Sequence, residues 1–167
     1  MTLLPQEEPV YLALFLTSED VPGLDSGEAV HREDAEPGDD AWIPCEGMKA
    51  GFQVWQRIRG TELVRLVDVR WLFPSEASAA RYHEDRMTAN AEGFRRVPSV
   101  GLPGVDVAAF SGRDPFGLGG DMRICLFVFG RVCAKVFVSG MDDEAGIAVV
   151  QKAGGRIGRA LRSGHPK

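Results

Sequence analysis

The run MRICLFVF-GR-VCAKVFVS, Met122 to Ser139, constrains the fold of this chain more than any other stretch. Two runs rich in β-branched and aromatic residues flank a Gly-Arg break, the signature of antiparallel strands joined by a two-residue turn. Gly130 in first place suits a type II′ turn, which needs a positive φ there. That register sets Cys125 opposite Val136 and Cys133 opposite Val128. Side chains alternate along a strand, so the two sulfurs point to opposite faces and cannot bridge each other.

A second hairpin is predicted upstream. FQVWQRI (Phe52 to Ile58) alternates with the period of a strand, Gly60 breaks it, and ELVRLVDVRWLF (Glu62 to Phe73) continues to Pro74. The following SEASAARYHEDRMTANAEGF reads as a helix with Ser75 as its cap, Glu76 near its positive end and Gly93 as its stop. Ala79, Tyr82, Arg86 and Ala89 would share one face, with Met87 nearby. VDVAAFSG (Val105 to Gly112) is a further strand. MDDEAGIAVVQKAGGRIGRALRSG closes the chain as a helix, acidic at its start and basic towards its end, with Ile147, Val150, Gly154, Ile157 and Leu161 as its apolar face. The predicted class is α+β, an antiparallel sheet of about five strands with helices packed on it. One domain over 1–167 is expected, with an N-terminal helical segment (1–24), an acidic irregular segment (25–51) and a sheet-and-helix body (52–163).

Charge is distributed unevenly. Met1 to Met48 holds twelve acidic side chains against one basic residue, Arg32, while the whole chain of 167 residues carries only −5. The balance favours solubility and argues against nucleic acid as a partner. No apolar run approaches the roughly 18 residues of a membrane span. YLALFL (Tyr11 to Leu16) lacks the flanks of a secretory signal. The chain as written reads as cytoplasmic, and as extracytoplasmic if a leader has been removed.

Candidate chemistry is sparse. FGLGGD (Phe116 to Asp121) leads into a strand, whereas phosphate-cradling loops place their glycines before a helix N-terminus, so a structural turn is expected. Cys45, Cys125 and Cys133 fit buried thiols, with a bridge from Cys45 to one of the others as the alternative. His31, His83 and His165 show no metal-ligand spacing, and YHED is expected on an exposed helix surface. No catalytic residue, metal site or cofactor is expected. As ligand contacts the sequence offers Trp42 and Trp55, Phe116 in the glycine loop, and Arg156, whose guanidinium suits an anion.

YLALFLTSEDVPGL resembles the opening of small actinobacterial lipoproteins and of PknH-type kinase sensor domains. VDVRWLFPSEASAARYHEDR is similar to their strand-to-helix joint, and FVFGRVCAKVFVSGMDDEAGIAVVQKAGGRI to their final hairpin and helix. The resemblance implies an extracytoplasmic α+β module with a sheet-and-helix cleft that binds ligands without catalysing. The chain lacks their lipobox or transmembrane tether and the paired disulfides of the kinase sensors. The expected function is a non-enzymatic binding or protein-interaction module, sensor-like, with an unknown small ligand or protein as partner. A small cytosolic enzyme with a dispersed polar site and a structural assembly subunit are the alternatives.

Overall fold

The computed structural model describes residues 15–35, 48–98, 106–113 and 120–163. Seven strands, β1 (Asp25–Ala35), β2 (Met48–Arg59), β3 (Glu62–Leu72), β4 (Arg95–Val97), β5 (Asp106–Arg113), β6 (Asp121–Phe129) and β7 (Val132–Ser139), form one sheet in the order β1-β2-β3-β7-β6-β5-β4. Every neighbouring pair is antiparallel. The α+β class therefore holds, but about five strands was too few.

The two extra strands escaped for physical reasons. β1 lies in the stretch read as irregular, and it is an edge strand paired on one side only. Its described side chains from Asp25 to Ala29 are exposed, so it needs no apolar alternation. β4 has three residues. Between Phe15 and Leu24 the chain makes turns where a helical segment was expected, with Asp20 N–H donating to the Thr17 carbonyl at 2.9 Å and Leu24 N–H to that of Val21 at 3.2 Å. Residues 1–14 of that segment lie outside the described residues.

The predicted hairpin turn is present. Cys125 pairs with Val136 and Cys133 with Val128, and Gly130 has φ 53°. Gly140, which leads out of β7, has φ 71°, and a Cβ there would meet the Leu63 carbonyl oxygen at 2.2 Å, so only glycine fits.

Helix α1 (Glu76–Gly93) and helix α2 (Asp143–Ser163) pack on opposite faces of the sheet. On the front face, Ala79 of α1 joins Trp71, Phe73 and Cys133, while Met87 and Phe94 pack against Phe110, Ile124 and Leu126. On the back face, Val149 and Ala153 of α2 meet Phe15, Leu16, Trp55, Leu66, Cys125, Phe127 and Val136. Strands covered on both sides are apolar at both parities, which explains ICLFVF in β6.

Helix α1 differs in rotation from the sequence reading, and in helix α2 one residue of the expected face, Ile147, is exposed. Helix α1 buries Ala79, His83 and Asn90 and leaves Arg86 and Ala89 exposed. Its Ser75 cap is as predicted, accepting from Ser78 N–H at 3.1 Å. Helix α2 buries Gly146, Val149 and Ala153 and leaves Ile147 exposed, while the side chains of Val150, Gly154, Ile157 and Leu161 on the expected face lie outside the described residues. Arg156 continues that buried stripe at helical spacing and pairs with Asp20, so a polar contact helps to set the rotation.

The back face hides an ion pair. Asp68 and Arg70 of β3 are fully buried, with Arg70 Nε 2.6 Å from Asp68 Oδ1, while Oδ2 accepts from Leu16 N–H at 3.0 Å. Burial pushes the Asp68 carboxyl up, opposed by Arg70, the Leu16 hydrogen bond and Arg156. Removing one partner of a buried pair strands the other charge, whereas replacing both with apolar groups does not. We therefore expect Arg70→Met to cost roughly 3–5 kcal/mol in urea unfolding, and Asp68→Leu/Arg70→Met to recover at least half of that loss.

Candidate functional site

Helix α1 covers only part of the front face. Pro74 and the Ser75 cap launch it from the end of β3, and it crosses β7, β6 and β5. The front of β2 and β3 is left beside it as a step. In the angle lies a cleft of about 680 Å³, within the range of ligand pockets.

Its floor follows from strand register. Val54, Val67 and Phe137 form one rung across β2, β3 and β7, and Phe52, Val69 and Lys135 the next. Arg65 lies on the other side of the first rung, opposite Gln56. Helix α1 supplies the wall with Tyr82, Asp85 and Arg86, and Glu28 of β1 reaches the cleft from the sheet edge. Tyr82 is braced edge-on by Trp71, centroids 5.1 Å apart, and by Phe73 at 5.2 Å. Burial pushes its phenol up to about 12, so the hydroxyl stays protonated.

Three cations share this apolar recess. Lys135 Nζ sits 4.3 Å from the centre of the Phe137 ring, and the Arg86 guanidinium carbon 5.5 Å from that of Tyr82. Arg65 Nε is buried without a hydrogen-bond partner among the described residues. None of the three makes an ion pair among those residues. Burial, and then the positive charge of Arg86, lower the Lys135 ammonium to about 8. No carboxylate offsets either influence.

A second cavity of about 450 Å³ opens on the back face near the start of α2. It sets Arg95 and Arg123 beside Asp121 and Asp142, so its charges balance. Asp142 is occupied, its Oδ1 accepting from Ala145 N–H at 2.8 Å as the cap of α2. His83, expected on an exposed surface, is buried, with Nε2 3.8 Å from Asp106 Oδ2. Burial lowers its imidazole against the opposing charges of Asp106 and Glu84. No group of three or more His, Cys, Asp or Glu side chains among the described residues is placed to hold a metal. No helix there is long and apolar enough to cross a membrane.

Of the residues proposed from sequence, the two that are described, Trp55 and Arg156, do not line the front cleft. Trp55 is buried in the back-face core beside Leu66. Arg156 pairs with Asp20 and donates to Thr17 Oγ1 at 2.8 Å, while Lys152 donates to the Asp20 carbonyl at 2.9 Å. These contacts clasp the Thr17–Asp20 turn to α2. Trp42 and Phe116 lie outside the described residues, as does Cys45. Cys125 and Cys133 are free and buried. The sequence reading missed Phe52, Arg65, Tyr82, Arg86, Lys135 and Phe137. One signal was present: Lys135 interrupts an apolar strand at the parity of Cys133 and Phe137, and Arg65 at that of Val67, Val69 and Trp71.

No protein-family model and no curated protein matches the chain. Among solved structures, the fold is similar to the extracellular domain of PknH from Mycobacterium tuberculosis, with a TM-score of 0.60 and 12% identity over 96% of this chain and 98% of that one.

Two measurements check this geometry. Because Lys135 falls from 10.5 to about 8 on folding, the unfolded chain binds more protons between those values. The stability of the native protein relative to Lys135→Met should therefore rise with pH across that window and be lost as pH falls through about 8. Urea unfolding of both proteins from pH 7 to 11 reads the slope. Burial also raises both thiols to about 12, and Cys133 Sγ lies 3.2 Å from the Ala79 carbonyl. In a Cys45→Ser background, neither should react with an aromatic disulfide reagent at pH 8 until the protein is unfolded.

Proposed function

We propose that this chain is a non-catalytic, sensor-like binding module that works outside the cytoplasm, and that the cleft beside α1 receives its ligand. The observation that carries this reading is the combination of an open apolar floor and three cations lacking ion-pair partners among the described residues. A merely structural surface would solvate such charges or pair them, since leaving Lys135 and Arg65 half-buried costs stability, and Arg86 on the exposed rim adds a third positive charge beside them. The fold likeness to an extracellular domain supports the location, and the size of the cleft supports a small molecule over a large flat partner.

A thermal-shift screen of metabolite classes tests the reading. A ligand at about one hundred times its Kd adds about 2.7 kcal/mol, or a rise of roughly 5–10 °C for a domain of this size. At least one class should produce such a shift in the native protein and lose it in Val67→Trp, where the indole fills the floor. A screen with no Val67→Trp-sensitive shift argues against the reading.

A further inference from the structure

Resting on the reading of this cleft as the ligand site, we infer that its ligand is a soluble single-chain amphiphile with one negative charge. Its carboxylate would lie between Lys135 and Arg86, and its hydrocarbon tail along Phe52, Val54, Val67 and Val69.

The charge inventory selects the head group. Lys135, Arg65 and Arg86 outnumber Glu28 and Asp85 by one among the lining residues. A neutral apolar ligand would strip water from Lys135 and Arg65 and return no counter-charge, an unfavourable exchange. A cationic ligand would meet the same ammonium and guanidinium groups head on. A polyanion would place its further charges against Glu28 and Asp85. One carboxylate fits the inventory, and between Lys135 and Arg86 it supplies the partner that both lack among the described residues, while Arg65, two rungs away, adds only to the positive excess.

The floor selects the tail. It consists of side chains from β2, β3 and β7, whose backbone groups are already paired on both sides within the sheet. An extended peptide, which binds by adding a strand at a free edge, finds no ladder here. A flexible hydrocarbon needs no hydrogen bonds, and it gains from each methylene removed from water, about 0.8 kcal/mol apiece. The two rungs Val54–Val67–Phe137 and Phe52–Val69–Lys135 run across the strands, so a chain laid along the first ends beside the cation of the second.

Titration calorimetry of the full chain below micellar concentration tests this with dodecanoate, dodecanol and dodecyltrimethylammonium. Dodecanoate should bind at least tenfold tighter than dodecanol, and the cation should not bind. Lys135→Gln and the exposed-site Arg86→Gln should each weaken dodecanoate about tenfold and leave dodecanol unchanged, with native circular dichroism as the folding control. Equal affinity for dodecanoate and dodecanol, or preference for the cation, overturns the inference and leaves the cleft as a ligand site. The same holds if none of the three binds while the screen yields a Val67→Trp-sensitive ligand of another class. Failure of both experiments overturns the inference together with the reading beneath it.

Discussion

Among the described residues two helices flank a sheet of seven strands, too few to cover both of its faces, and much of the described structure follows from that mismatch. A helix with its side chains is about 10–12 Å across, whereas strands repeat every 4.7–4.9 Å, so one helix shields little more than two strands. On the front, α1 lies over β5, β6 and β7, and no helix among the described residues covers the β2–β3 half. The opening beside it is what the element count leaves over, and its apolar floor belongs to strands that remain half-buried.

The back face meets the same shortage by another route. There α2 covers β6 and β7, and the turn from Phe15 to Leu24 extends the cover over Trp55 and Leu66. A turn brings backbone polar groups that must be satisfied wherever they are buried. Asp68 answers that need by accepting from Leu16 N–H, and Arg70 answers the charge that Asp68 brings. The outer side of the turn is clasped by Lys152 and Arg156. The ion pair and the clasp thus belong to one solution, in which loop replaces helix as the second layer.

The central elements were legible because they obey local rules that agree with one another. The Gly130-Arg131 turn, the Ser75 cap and the two hairpins each have a strong signature, and their boundaries moved by only a few residues. β1 was illegible because its side chains from Asp25 to Ala29 are all exposed and leave no alternation to read. Helix rotation was misread for a different reason. Helix α1 has a weak apolar stripe, and tertiary contact decided between neighbouring faces, drawing His83 inwards and leaving Arg86 out. In helix α2, Arg156 extends the buried stripe of Gly146, Val149 and Ala153 as a polar anchor that apolar counting ignores. The candidate site was harder still. Aromatic residues were chosen as ligand contacts on type alone, and Trp55 went to the back-face core, because parity and the position of α1, not residue type, decide which side chains reach the cleft.

The same parity argument identifies where the sequence departs from its own pattern. Lys135 and Arg65 sit on central strands, at positions where the neighbouring residues of the same face are Val, Trp, Cys and Phe. Substituting apolar residues there would continue the pattern and remove a desolvation cost, so folding alone gives no reason for either cation. Places where local choices conflict with the fold are where functional sites are expected. On the back face the comparable conflict, Asp68 with Arg70, is closed by a partner and by full burial. On the front it is left open to the cleft, with Arg86 of α1 adding a third positive charge instead of a counter-ion. One side of the sheet therefore uses its buried charge to hold the molecule together, and the other keeps its charge available to whatever enters.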